Sequence, residues 1–412
     1  MAVKFEGYEI IQNGICAAQG FSANGIHCGL RKNKERLDLA LIYSDVPCNS
    51  AGMYTQNKVK GAPIIITQKH LENGIAQAII VNSGNANTCN IDGEEKALRM
   101  CELAAGQLGI KTEDVIVAST GIIGEILPIE PIENGVEELA AGLSPDKNEL
   151  ACQAILTTDL VKKEHAVKFI IDGKPCIIGG IAKGSGMIHP NMATMLSFLS
   201  TDVNIEAKLL TKALKNVVDD TFNMVSVDGD TSTNDTVTIM SNATAGNDEI
   251  VDENSDAYKI FYKGLYAVLM NLSREMAQDG EGATKLLECN VFNACDVTTA
   301  KIVAKSVITS SLFKSAMFGQ DANWGRILCA IGYANADFDI NLIGVDLVSE
   351  NGTITVCKNG RGVVFSHDDA LEILKAHDVF ININMNDGDA KATAWGCDLT
   401  YDYVKINADY HS

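Results

Sequence analysis

Two apolar, β-rich runs, residues 167–171 (VKFII) and 176–181 (CIIGGI), stand on either side of Asp172-Gly173. That dipeptide readily takes the positive backbone angles of a tight hairpin turn, so the middle of the chain is committed to antiparallel strands. Residues 63–68 (PIIITQ) and 76–82 (AQAIIVN) read as buried strands, as does 114–118 (DVIVA), which runs into Ser119, Thr120 and Gly121; 236–241 (TVTIMS) alternates like a strand. Helical spacing marks 93–108 behind a capping Asp92, then 205–222, 255–278 and 299–318, with a short helix at 368–376. Turn residues at 350–352 (ENG) and 386–388 (NDG) predict two more hairpins. The mixture predicts an α/β or α+β fold with much antiparallel pairing. No low-complexity block, Pro/Ser linker or fixed-period repeat divides it.

Charge narrows the partners. The 412 residues carry 33 Lys+Arg against 53 Asp+Glu, a net charge of −20, which offers no basic field for nucleic acid or an anionic membrane and leaves small molecules or proteins. Twelve cysteines are scattered with no CxxC pair and no zinc-ligand spacing to a His, the usage of a reducing compartment, and no metal site is expected. The first residues (MAVKFEGYEIIQNG) hold no continuous apolar stretch, and no run approaches the ~20 apolar residues of a membrane span, so the expected location is cytoplasmic.

The most unusual segment is 183–198 (KGSGMIHPNMATMLSF). Its plain reading is a turn, with Gly184 and Gly186 supplying permissive backbone and Pro190 limiting helix formation. A chemical reading starts from threonine. A hydroxyl is a weak nucleophile without a base beside it, and a Thr at a new amino terminus has one in its own α-amine, with a pKa of about 7.7–8.0. Cleavage before the Thr, by attack of its hydroxyl on the preceding carbonyl, would create that terminus. Ala193-Thr194 has the small residue and bent approach such a step needs. Thr120, Thr157, Thr158, Thr231 and Thr233 also lie in Gly- or Asp-rich surroundings, and spacing does not choose among them.

Eight segments in order make the choice by resemblance: 82–87 (NSGNAN), 119–124 (STGIIG), 157–159 (TTD), 183–195 (KGSGMIHPNMATM), 228–236 (DGDTSTNDT), 280–285 (GEGATK), 321–326 (DANWGR) and 406–412 (INADYHS). Together they resemble the glutamate N-acetyltransferase, or ornithine acetyltransferase, family of arginine biosynthesis, over essentially the whole chain. The resemblance implies stacked β-sheets flanked by helices, layered as in amino-terminal-nucleophile hydrolases but connected differently. It implies self-cleavage between Ala193 and Thr194 into an α piece, 1–193, and a β piece, 194–412, which stay associated and assemble further, as in a heterotetramer. Thr194 would carry the acetyl group from N2-acetyl-L-ornithine to L-glutamate in a ping-pong scheme, with no cofactor; some members also use acetyl-CoA as a donor. Thr120 and Gly121 match the oxyanion-hole pair. Thr157, Lys183, Glu281, Asn407 and Ser412 match substrate-binding positions; Thr158 is the neighbour with which Thr157 is easily exchanged. Lys183 would meet an α-carboxylate. Glu281 would meet either the ornithine ammonium or the Thr194 amine. Ser412 stands where the family often has Thr. His189 is read as a structural turn residue, and 228–236 as a loop shaping the wall.

Two other readings stay open on the residues alone. A self-processing amidase or aminopeptidase of the related fold would share Thr194 and the oxyanion pair but hand the acyl group to water. A non-catalytic binding protein would remain one uncut chain of about 44 kDa.

Overall fold

The computed structural model describes residues 2–189 and 195–409, and its strands form two mixed sheets. The first contains β1 (Glu9–Ile11), β2 (Phe21–Ile26), β3 (Leu39–Tyr54), β4 (Ile75–Asn85), β5 (Val115–Ile122), β6 (Lys163–Ile171), β7 (Lys174–Lys183), β8 (Leu196–Thr201) and β10 (Thr236–Ser241). The second contains β9 (Val225–Ser226), β11 (Leu286–Ala294), β12 (Gly344–Ser349), β13 (Gly352–Lys358), β14 (Arg361–Gly362), β15 (Asp378–Asn384) and β16 (Ala390–Cys397). In the first sheet the order is β1-β6-β7-β8-β10-β3-β4-β5, with β2 also on β3, so β8 and β10 are inserted between β7 and β3. The Asp172-Gly173 hairpin forms as read, with Ile171 opposite Lys174 and Lys183 opposite Leu196 in the next pair.

At β8 and β10 both faces of the first sheet are dry, and successive side chains alternate across the pleat into different cores. On β8 and β10, Leu199, Val237 and Ile239 join the core beneath α5 (Ala207–Asp220), while Phe198 and Met240 point into the opposite core with Ile155 of α4 (Asn148–Ile155). At the far edge, α1 (Ala62–His70), α2 (Gly93–Leu108) and α3 (Glu130–Ala141) supply Ile66, Met100 and Ile132 to a core with Val115 and Val117 of β5. The long α6 (Asp256–Gln278) lies between the sheets. Its Phe261 and Leu265 belong to the first sheet's core, and Met270 and Ala277 to the second's. The second sheet is covered by α7 (Val297–Thr309), α8 (Ser311–Phe318), α9 (Trp324–Gly332) and α10 (His367–Leu374), and α11 (Tyr401–Asp409) closes the described chain. The architecture is therefore mixed α/β with two stacked sheets and packed helices, as expected. No described helix is long and apolar enough to cross a membrane.

Three local expectations are corrected. Residues 63–68 are helical, within α1: Pro63 occupies its first turn, where a missing N–H costs nothing, and a short apolar run has no period that separates strand from helix. Residues 299–318 break at Ser310, whose hydroxyl caps α8 by accepting from Phe313 N at 3.3 Å. The turn at 386–388 does not join a hairpin pair, because β11 lies between β15 and β16, parallel to one and antiparallel to the other.

Candidate active site

Several chain segments end or begin at one place. β5 ends there with Thr120 and Gly121, β7 ends with Lys183, and β8 and β10 begin with Leu196 and Thr236. A cavity of about 160 Å³ opens at this point, lined by Thr120, Gly121, Thr157, Thr158, Lys183, Glu281 and Asn407, with Met195 and Asp235 on its wall. Six expected site residues therefore meet in one space although they are separated by up to 287 positions. Ala193, Thr194 and Ser412 lie outside the described residues.

Gly121 is held at a φ of +137°, where L side chains are rarely found. A Cβ there would stand 2.3 Å from the Gly84 carbonyl carbon and 2.5 Å from Asn85 N, so the tight β4–β5 crossing requires glycine. The neighbouring loop is tied to β5 by Asn234, whose Nδ2 donates to Ser119 O at 3.0 Å. Thr120 Oγ1 accepts a long bond from Lys183 Nζ, 3.5 Å.

Lys183 is only 8% exposed. Burial pushes its pKa down; Asp159 opposes that, while Lys163 and Arg31 add to it. Its nearest carboxylate oxygen is Asp159 Oδ2 at 4.0 Å, which leaves the ammonium able to take an incoming anion. Asp159 belongs to a buried triad. Lys163 Nζ contacts Asp159 Oδ1 at 2.7 Å and Asp279 Oδ2 at 2.6 Å, with side-chain exposures of 0%, 0% and 5% for Lys163, Asp159 and Asp279. Asp159 also accepts from the N–H groups of Gly184, 2.7 Å, and Thr157, 3.0 Å, so the triad fixes the backbone on both sides of the cavity. Burial alone would raise the Asp159 pKa; Lys183 and Lys163 beside it hold it far below the usual carboxylate range.

Glu281 follows α6, and its N–H donates to Ser185 O at 2.8 Å. Its carboxylate accepts from Asn407 Nδ2 at 2.8 Å, which brings the final helix to the site. Gly186 makes this approach possible, since a Cβ there would lie 2.3 Å from the Glu281 carboxyl carbon. Thr157 and Thr158 both line the cavity. The Thr158 hydroxyl is paired with Ser185 Oγ at 2.7 Å, and the Thr157 hydroxyl makes only a 3.5 Å contact with Asp159. His189 pairs with Ser226 Oγ at 3.1 Å, and burial, with Lys305 adding, brings its pKa down to about 4, so it is neutral near pH 7.

Sequence reasoning missed the Lys163–Asp279 half of the triad and the buried Asp235. Asp159 and Lys163 are four apart, a spacing that signals contact only in a helix, and here Lys163 opens β6.

A family model described as the ArgJ family matches residues 22–412. The chain is 50% identical over 393 residues to the arginine biosynthesis bifunctional protein ArgJ 1 of Clostridium acetobutylicum, covering 95% of this chain and 96% of that one. Among solved structures, the arginine biosynthesis bifunctional protein of Bacillus halodurans is 44% identical with a TM-score of 0.50, covering 53% of this chain and 100% of that one. The ornithine acetyltransferase of Mycobacterium tuberculosis, solved with ornithine, is 33% identical with a TM-score of 0.42, covering 45% of this chain and 100% of that one.

Proposed function

Because the chain belongs to the ArgJ family, we propose that it is the ornithine acetyltransferase of arginine biosynthesis, moving acetyl from N2-acetyl-L-ornithine to L-glutamate through an acetyl-Thr194 ester. The observation that carries the reading is the convergence of Thr120, Gly121, Lys183, Glu281 and Asn407 on one cavity beside Met195, the residue that follows Thr194.

In this scheme the chain cuts itself between Ala193 and Thr194, and pieces 1–193 and 194–412 stay together and pair into a heterotetramer. The Thr194 hydroxyl attacks the acetyl carbonyl while its α-amine relays the proton. The Thr120 hydroxyl and Gly121 N–H receive the tetrahedral oxygen. Lys183 takes the α-carboxylate common to both substrates. Glu281, steadied by Asn407, takes the ornithine side-chain ammonium, a choice supported by its place on the cavity wall. Thr157, whose hydroxyl is the less engaged of the two, is the binding threonine; Ser412 completes the set. The relatives' bifunctional description supports acetyl-CoA as a second donor for glutamate, in a cytoplasmic enzyme.

The test offers N-acetylornithine with and without glutamate. N-acetylglutamate should form with glutamate, and little acetate without it. Equal acetate release in both would establish a hydrolase instead. Thr120→Val should lower kcat by ~10²–10³ with KM changed much less, the signature of a donor used in the transition state; an unchanged kcat would remove Thr120 from the oxyanion site.

A further inference from the structure

Asp235 has no part in these roles, yet it is 1% exposed and lines the cavity with Lys183 and Thr120. Its position is fixed: its carbonyl accepts from Thr55 N at 3.0 Å, and the next residue, Thr236, donates to Met195 O at 2.9 Å. The carboxyl faces Ser232 of its own loop, the Met195 N–H, Lys183 of β7 and Thr55 beyond β3. Its Oδ2 has no hydrogen-bond partner among the described residues. A buried carboxyl oxygen without a partner, on a residue that lines this cavity, calls for a use. Burial raises its pKa well above the ordinary aspartate value, against the opposing pull of Ser232, the Met195 N–H and Lys183, and so favours the acid form.

The proposed exchange needs such a proton. The amide nitrogen of N-acetylornithine carries one hydrogen, takes one proton to leave as an amine with two, and takes another on release to become an ammonium with three. The Thr194 hydroxyl supplies one through the α-amine, and a second must come from elsewhere. Glutamate reverses the count: its ammonium loses two protons on becoming an amide, and Thr194 oxygen takes back one. We propose that Asp235 is the catalytic store of the second proton, giving it to the departing ornithine nitrogen and recovering it from the glutamate ammonium. The amide C–N bond breaks as the ester C–O bond forms, then the ester breaks as the new amide forms; nothing is oxidised, and Asp235 ends as the acid it began. Between the two halves its carboxylate is balanced by Lys183.

This inference rests on the acetyl-transfer reading, and the experiment separates the two. Two substrate pairs are compared in Asp235→Asn and the wild type. N-acetylornithine with glutamate needs the stored proton. p-Nitrophenyl acetate with hydroxylamine does not, because the phenolate leaves without a proton and hydroxylamine enters uncharged. The first reaction should fall by ~10²–10⁴, and the second by less than about tenfold. Equal losses in both, or no loss in the first, overturn the role of Asp235. Should the variant stay uncut, the pH profiles of the two reactions are compared in processed wild-type enzyme. The physiological pair should show an ionisation that the ester pair lacks after correction for the acceptors, and coincident profiles overturn the proposal. A wild-type enzyme that turns over the ester but not N-acetylornithine overturns the underlying function instead.

Discussion

Thr194→Ala should yield a single species near 44.1 kDa with no measurable acetyl transfer, where the proposed self-cleavage of the wild type should yield pieces 1–193 and 194–412. The variant removes the hydroxyl that would open the Ala193 peptide bond and the one that would hold the acetyl group, so processing and turnover disappear together. Deleting a covalent nucleophile costs on the order of 10⁶ in kcat. Thr194→Ser keeps the hydroxyl and should still be cut. Intact mass and sequencing of any new amino terminus read the outcome directly. A Thr194→Ala chain that is cut and active would remove the foundation of the mechanism.

The largest effect on stability should come from Lys163→Met. The substitution leaves Asp159 and Asp279 buried with their shared ammonium gone, and breaking a buried pair from one side costs about 3–5 kcal/mol. Denaturant unfolding of the uncut Thr194→Ala background measures it, and a loss below about 1 kcal/mol, the scale of an exposed pair, would show that the triad does not hold the site together. Asp159 adds a pH signature. Its folded pKa lies below the unfolded value, so its contribution is complete above about pH 4 and is lost as pH falls through the folded value. The deficit of an Asp159→Asn variant should therefore shrink on acidification.

What was legible in the chain was what local chemistry decides. Asp172-Gly173 sets its own turn, residues 236–239 alternate Thr with Val and Ile at the start of β10, and the glycine behind Leu108 ends α2 where the pattern stops. Insertion is not local. The turn at 386–388 reverses the chain as its residues dictate, but nothing in them says that β11, some ninety residues earlier, will occupy the space between its arms. The site follows the same division. Gly121 entered through the resemblance, as half of an oxyanion pair, and Gly186 as permissive turn backbone; the folded chain adds a close backbone crossing at one and the Glu281 carboxyl at the other. Asp235 did not stand out, since an aspartate in a Ser/Thr/Asn-rich loop is ordinarily a solvated turn residue. Only the packing of that loop against β5 and β8 takes water away from it.

The interleaving of the first sheet bears on how the enzyme can be lost and regained. If the bond before residue 194 is severed, the strands downstream of it, β8 and β10, remain clasped between β7 and β3 from upstream. Dissociation would then require rupture of the central sheet, so processed enzyme should persist at any dilution. Once denatured, however, it becomes two separate polypeptides, and recovery changes from a first-order to a second-order event that slows as the protein is diluted. Maturation would thus act as a ratchet, after which the native arrangement is kept by the height of the unfolding barrier.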